Sequence, residues 1–355
     1  MRRIIIVLFL CSSFFFFVSA EDSVLEEQKE AYGLNEVADF AQIDRDTTLE
    51  DGIKTILTQS LKNIRKILTQ GLTCVAVALA ISALCGVFET LFLGQPPFVL
   101  SIASSLAIMG TVTGSVTGMI EIGKSAIEQI NTFSKVLMPS LMTAGIASGT
   151  PIAATSQYSI TMLFSDVLLT AMNGFFLPLV YTYLVLIAAN AALSNQSLSK
   201  ISSFLKWSIN SSLKLVLMVF IGYITASGLI SVTTDVVGVK TAQFAISGTV
   251  PVVGGILADA GETVIAGAIM IKNSIGVVGM LGVLSIVLTP FLTLGVNFCL
   301  FKVASALSEP MCDMKISGLL DQIGGGLGMV LSMLGSSAVL FFISIISGMF
   351  MIGIA

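Results

Sequence analysis

Long apolar runs, each about the length of a membrane-spanning helix, dominate this chain. A helix needs about 20 mainly apolar residues to cross a bilayer. Six segments meet this requirement: 72–93, 98–119, 172–193, 213–232, 275–300 and 327–352. More polar stretches separate several of them, at 194–212, 233–243 and 302–325. The pattern predicts an all-α polytopic membrane protein with about six full spans.

The segment that follows the second span is more polar but keeps a helical period. In residues 120–136, acids and lysines recur three or four positions apart and alternate with isoleucines. Such spacing is typical of an amphipathic helix. We expect an interfacial helix here, so that residues 72–131 form two spans plus this helix.

Two apolar stretches are broken by turn residues. Residues 136–169 are interrupted at Gly149-Thr150-Pro151, and residues 244–271 are interrupted at 259–262. The leading arms are too short to span. Irregular backbone at membrane depth is tolerated only where it is buried in protein or lines water, and paired interruptions point to a translocation site. We therefore expect two broken or re-entrant helical hairpins near the centre of the membrane body.

Proline spacing indicates an internal duplication. The interval from Pro139 to Pro178 equals the interval from Pro251 to Pro290. A parallel repeat of residues 132–232 and 244–352 accounts for this pattern. The alternative is coincidence among apolar, glycine-rich segments.

The first 20 residues have the form of a secretory signal peptide. Arg2 and Arg3 precede the apolar run 4–17, and small residues end at Ala20, where we expect cleavage. The alternative is an uncleaved membrane anchor. In both cases residues 21–71 lie outside the cytoplasm.

Residues 21–71 are the charged part of the chain, with 11 acidic and 6 basic side chains. Within them, residues 47–71 carry apolar side chains three and four positions apart, which predicts an amphipathic helix. Its apolar face lies either on lipid headgroups or against an external partner. The linker 194–212 carries lysines and no acid, which favours a cytoplasmic position. Lys62, Arg65 and Lys66 just before the first span oppose this topology.

Composition excludes several functional classes. Apolar residues make up 55% of the chain and charged residues only 11%, against about 25% charged in soluble domains. Histidine is absent from the sequence, which removes histidine-based catalysis and ligation. There is no phosphate-binding loop motif, no catalytic constellation, no metal-ligand spacing and no basic block for nucleic acid. We predict no enzymatic activity and no cofactor, and we expect membrane lipids as partners.

Ionisable groups at membrane depth are costly and are candidates for function. Asp166 and Lys272 lie in corresponding arms of the two hairpins, where a pair could form in a polar lane with Asn173. The alternative is that each side chain reaches a membrane interface. Pro139, Pro151, Pro178, Pro251 and Pro290 complete the candidate conduit residues.

Glycines mark candidate packing faces. Gly110, Gly114 and Gly118 fall on one helical face, which favours close contact with another helix of this chain or of a second copy in a homo-oligomer. Gly324-Gly325-Gly326 precedes the last span and indicates close helix packing or a hinge.

Four segments together resemble the stage III sporulation protein AE family of endospore-forming Firmicutes. They are KVLMPSLMTAGIASG (135–149), FLPLVYTYLVLIAANAAL (176–193), LSKISSFLKWSINSSLKLVL (198–217) and AISGTVPVVGGILADAGETVIAGAIMIKNSIG (245–276). The likeness covers roughly 130–350 and includes no catalytic motif.

The resemblance implies a subunit of the channel complex that joins the mother cell to the forespore. It implies a location in the mother-cell-derived outer forespore membrane, with residues 21–71 facing the intermembrane space. It also implies ring-forming membrane proteins and a cytoplasmic ATPase as partners, and a role in forespore development and late forespore transcription. A permease or channel activity is the expected role. The alternatives are a stand-alone secondary transporter and a non-conducting membrane scaffold of the same complex.

Overall fold

The computed structural model describes residues 49–91, 97–193, 196–249, 254–310 and 314–350. The side chains of 227–272, and those of 49–52, 59, 61, 63, 89–91, 97–101, 192–193, 196–197, 314 and 350, are outside this description. All regular structure in the described residues is helical. The helices are α1 Leu49–Leu91, α2 Pro97–Ala147, α3 Pro151–Ala171, α4 Leu177–Leu193, α5 Gln196–Thr249, α6 Gly254–Ser308 and α7 Met314–Phe350. A π-helical turn, Met172–Phe176, joins α3 to α4 without a break.

Six stretches of these helices are long and apolar enough to cross a membrane. This confirms the prediction of an all-α polytopic protein with six spans. The stretches are Ile64–Phe88, Ile102–Ala147, Pro151–Ala191, Leu198–Ala226, Asn273–Ser308 and Lys315–Met349.

Several helices are far longer than the spans that hydropathy predicts. Helix α2 has 51 residues and is therefore about 76 Å long, against a hydrocarbon core of about 30 Å. Residues 120–136 are helical, as predicted, but they are not separate from the second span, because they continue α2. Their position at the membrane interface stays a prediction. Lys124 Nζ lies 3.3 Å from Glu121 Oε1, one turn away.

The predicted turn between α2 and α3 is present. The Gly149 N–H donates to the Ile146 carbonyl, and the Thr150 N–H donates to the Gly145 carbonyl, both at 3.1 Å. This is a Schellman cap, and Gly149 supplies its left-handed residue with φ 87°. Pro151 then opens α3, where its missing N–H costs nothing. The prediction of two short arms is wrong. The first arm is the end of the long helix α2, and the second arm, α3, continues through the π-helical turn into α4.

The second predicted hairpin, at 244–271, agrees less well with the structure than the first one does. Residues 259–262 lie inside α6, so the chain does not turn there. The loop expected at 233–243 is part of α5. Pro251 lies outside the described residues. The internal duplication stays a prediction.

Helix α7 lies at the centre of the bundle. In its most apolar window 61% of residues are buried, against 22–44% for the other five spanning stretches. It packs antiparallel to α6 and to the continuous helix formed by α3 and α4, and it packs parallel to α2. Its side chains Leu327, Val330 and Leu334 are fully buried. Helix α6 also packs tightly on α2, where Gly282 faces the Phe133 ring and Gly279 faces Leu137.

The amphipathic start of α1 is confirmed as a helix, and its apolar face contacts α6 of the same chain. Ile56 is buried against Leu281, and Ser60 Oγ lies 3.3 Å from Thr289 Oγ1. The expected contact with headgroups or with an external partner stays a prediction. The signal peptide, its cleavage after Ala20 and the acidic residues 21–46 fall outside the described residues.

Candidate functional site

Asp166 forms an ion pair with a residue that the sequence analysis did not select. Its carboxylate lies 3.4 Å from Lys135 Nζ across the α2–α3 hairpin. The side chains are 60% and 51% exposed, so the pair lies on the outer face of the bundle. The side chain of Lys272 is outside the described residues, and its pairing with Asp166 therefore stays a prediction.

Asn173 extends this polar surface by about two helical turns. Its amide donates to Glu128 Oε1 on α2 at 3.4 Å, and both residues are exposed. The π-helical turn places it there: the Leu177 N–H bonds to the Met172 carbonyl, five residues back. Pro178 follows and has no N–H to give to the carbonyl of residue 174, which favours this local widening. We call Glu128, Lys135, Asp166 and Asn173 the polar face.

A second polar line is buried under the polar face. Ser165 Oγ donates to Asn131 Oδ1 at 2.7 Å between α3 and α2. Thr161 Oγ1 donates to Ser344 Oγ of α7 at 3.0 Å, and the Gln157 amide donates to the Ser344 carbonyl. All five side chains are less than 9% exposed. We call them the buried seam.

Sequence reasoning missed the buried seam, although a signal for it exists. Gln157, Thr161 and Ser165 are four residues apart and therefore share one face of α3. In an otherwise apolar span, a polar face of this kind predicts hydrogen bonds between helices. Ser134 lies one turn from Asn131, and its hydroxyl is buried with no partner among the described residues. A cavity of about 20 Å³ beside Gln157 has room for about one water molecule.

The glycine face of α2 is open in this chain. A Cβ placed on Gly110, Gly114 or Gly118 would meet nothing within 4 Å among the described residues. Gly114 and Gly118 line a groove of about 600 Å³ between α1, α2 and α6. The close contact that the glycines predict is therefore not made to another described helix of this chain.

Asn297 on α6 borders the same groove and has an unsatisfied group. It is 2% exposed, and its Nδ2 donates to the Thr293 carbonyl at 2.8 Å. Its Oδ1 accepts no hydrogen bond within the described part of the chain. Gly71 of α1 makes room for it, because a Cβ there would lie 2.5 Å from Oδ1. A buried carbonyl oxygen without a donor costs free energy, so this oxygen destabilises the packing of α1 on α6.

The remaining candidate prolines interrupt helical hydrogen bonding. Pro139 lies inside α2 and Pro290 inside α6. Each lacks the N–H that would bond to the carbonyl four residues before it, which weakens or bends the helix locally.

The chemistry that these groups can perform is polar contact and charge compensation. Within the described ranges, no three Cys, Asp or Glu side chains lie close enough to hold a metal ion. Charged and amide groups exposed on spanning helices contact either water or another protein, because acyl chains solvate them poorly. The polar face is thus suited to line a hydrated path or to bind a partner helix.

Comparison with known proteins gives a consistent match. Residues 35–351 match the family model described as stage III sporulation protein AE. The stage III sporulation protein AE of Bacillus subtilis (strain 168) is 22% identical over 220 residues, 62% of this chain and 55% of that protein. The matched region thus spans about half the length of this curated relative. No solved structure matches the chain.

Proposed function

The chain belongs to the stage III sporulation protein AE family, and from this premise we propose that it is a channel- or permease-like subunit of a complex linking mother cell and forespore. The proposal places it in the outer forespore membrane, with residues 21–71 directed to the intermembrane space. It assigns the chain a part in forespore development and late forespore transcription. Its partners are ring-forming membrane proteins and a cytoplasmic ATPase.

One observation carries the conduit part of this proposal: the polar face is exposed on helices that contain membrane-spanning stretches. Lys135 belongs to the stretch Ile102–Ala147, and Asp166 belongs to Pro151–Ala191. Both side chains are more than half exposed. An ion pair facing acyl chains would be costly, whereas one facing water or a neighbouring subunit is not.

The second candidate function, a non-conducting scaffold, is favoured by the glycine face. Small residues at an open helix face favour close contact between helices in a membrane. A second copy of this chain can supply the facing helix, since its own α2 carries the same exposed glycines.

A genetic experiment tests the sporulation role first. The gene is deleted in its spore-forming host, and a late forespore-specific reporter is followed after engulfment. We expect engulfment to finish while the reporter stays silent. A normal reporter signal and normal spores would overturn the proposal and favour a stand-alone transporter.

Complementation then separates conduit from scaffold. The double variant Lys135→Gln with Asp166→Asn removes the charges of the polar face and keeps side-chain size. A conduit that uses these groups loses reporter activity although the protein is present in the membrane at its normal level. A scaffold keeps full activity. Glu309→Gln, an exposed carboxylate at the end of α6, is the matched control and should behave as the parent chain.

A further inference from the structure

Four helices meet at the three consecutive glycines of α7. Gly324 faces Phe301 of α6, and Gly326 faces Leu184 of α4. A Cβ on Gly325 would lie 3.0 Å from Lys206 Nζ of α5 and 3.1 Å from Tyr183 Oη of α4. The missing side chain therefore makes room for the Lys206 amine and the Tyr183 hydroxyl, which converge at this point. We call this place the glycine junction.

The glycine junction carries an excess of positive charge. Lys302 of α6 forms an ion pair with Asp321 of α7, and these side chains are 33% and 47% exposed. Lys206 is within electrostatic range of both groups. Within the described residues its amine makes no ion pair or hydrogen bond. Two lysines thus share one carboxylate, and the amine of Lys206 is the surplus cation.

Polar groups around Lys206 are also incompletely used. Tyr183 Oη donates to the Gln322 carbonyl at 3.0 Å, so its lone pairs remain free to accept. The side-chain oxygen of Gln322 is buried with no partner in the described part of the chain. The junction can therefore offer the ammonium group of Lys206 to an anion.

The surface beside Lys206 is aromatic. Trp207 and Phe204 are 64% and 60% exposed, and their ring centroids are 5.9 Å apart. Lys206 lies near the start of α5 and Lys302 near the end of α6, at about 15 and about 9 Å from those helix ends. Aromatic rings and lysines near helix ends are typical of the boundary between headgroups and acyl chains.

We propose that the glycine junction binds the phosphate of an anionic phospholipid. Lys206 provides the main charge, and Lys302 adds to it. The acyl chains lie against Trp207 and Phe204. Lysine-bearing pockets between spanning helices are suited to anionic headgroups, and the exposed rings favour a phosphate with acyl chains over free phosphate.

Trp207 is the one tryptophan in the chain and reports directly on the site. The full chain is reconstituted in phosphatidylcholine vesicles that contain either dibrominated phosphatidylglycerol or dibrominated phosphatidylcholine at the same mole fraction. Bromine quenches indole fluorescence on contact. We expect the anionic lipid to be enriched at Trp207 about fivefold, the size expected for one lysine at a membrane surface.

Variants identify the group responsible. Lys206→Gln should abolish the enrichment, and Lys206→Arg should retain it. Lys200→Gln removes an exposed lysine of the same helix and should leave the enrichment unchanged. Equal quenching by both lipids, or enrichment that survives Lys206→Gln, would overturn the proposal. Loss of the enrichment in millimolar inorganic phosphate would also overturn it, because the site would then bind a free anion.

Discussion

Asn131 on α2 accepts a hydrogen bond from Ser165 on α3 at 2.7 Å, with both side chains buried. The exposed ion pair is one residue further along α3, at Asp166, and one turn further along α2, at Lys135. The two helices are therefore held by one polar contact that is shielded from solvent and one that is not. The buried hydrogen bond and the exposed ion pair should therefore differ in what they contribute to stability and to function.

Removing the buried contact should destabilise the helix hairpin. Ser165→Ala leaves the Asn131 oxygen buried without a donor, and we expect a loss of about 1 kcal/mol, since hydrogen bonds between membrane helices average about 0.6 and reach about 1.7 kcal/mol. Thermal unfolding of the purified chain in detergent measures this loss. Ser159→Ala, at an exposed site on the same helix, is the control and should have no effect. In a double-mutant cycle with Asn131→Leu, strictly additive losses would contradict the contact.

The exposed ion pair should contribute little to stability. Both side chains are more than half exposed, and pairs of this kind contribute about 0–1 kcal/mol. Asp166→Asn should therefore shift the unfolding temperature by less than Ser165→Ala does. A larger shift would mean that the pair has a structural role, and the complementation test of the polar face would then need the reversed pair Lys135→Asp with Asp166→Lys.

Hydropathy predicted the spans because each contains enough consecutive apolar residues to form a helix that crosses the bilayer. It could not predict how far the helices continue. The charges of 120–136 suit an interfacial helix, and they suit the middle of α2 equally well, because Glu121 and Lys124 pair within the helix in both cases. Local spacing alone does not distinguish these two positions.

The partner of Asp166 was predictable in principle. Lys135 precedes the turn at Gly149 and Thr150 by nearly as many positions as Asp166 follows it. In two antiparallel helices joined by a short turn, residues equally far from the turn lie side by side. The repeat pattern indicates Lys272 instead, because Lys272 occupies the corresponding arm of the second half of the chain. The open glycine groove could not be predicted, because small-residue spacing does not say which helix covers it.

Close packing of α6 on α2 predicts that Gly282 tolerates no side chain. A Cβ there would overlap the ring of Phe133, and overpacking of this kind costs about 1–3 kcal/mol. Gly282→Ala should lower the unfolding temperature, and Phe133→Leu in the same chain should restore part of the loss. Gly295→Ala is the control on the same helix, since a Cβ there would meet nothing within 4 Å among the described residues. Equal effects of the two alanines would contradict the packing.

The glycine face predicts a distinct result, in which association changes and folding does not. Gly114→Leu places a large side chain where this chain has no described neighbour within 4 Å, so the unfolding temperature should stay unchanged. In a homo-oligomer built on this face, the same side chain blocks the approach of the second helix. The mass of the detergent-solubilised complex, measured by light scattering, should then fall toward that of a single chain. Gly222→Leu on α5, also free of described neighbours, should leave the mass unchanged. If both variants keep the mass of the parent complex, the groove does not bind a second copy.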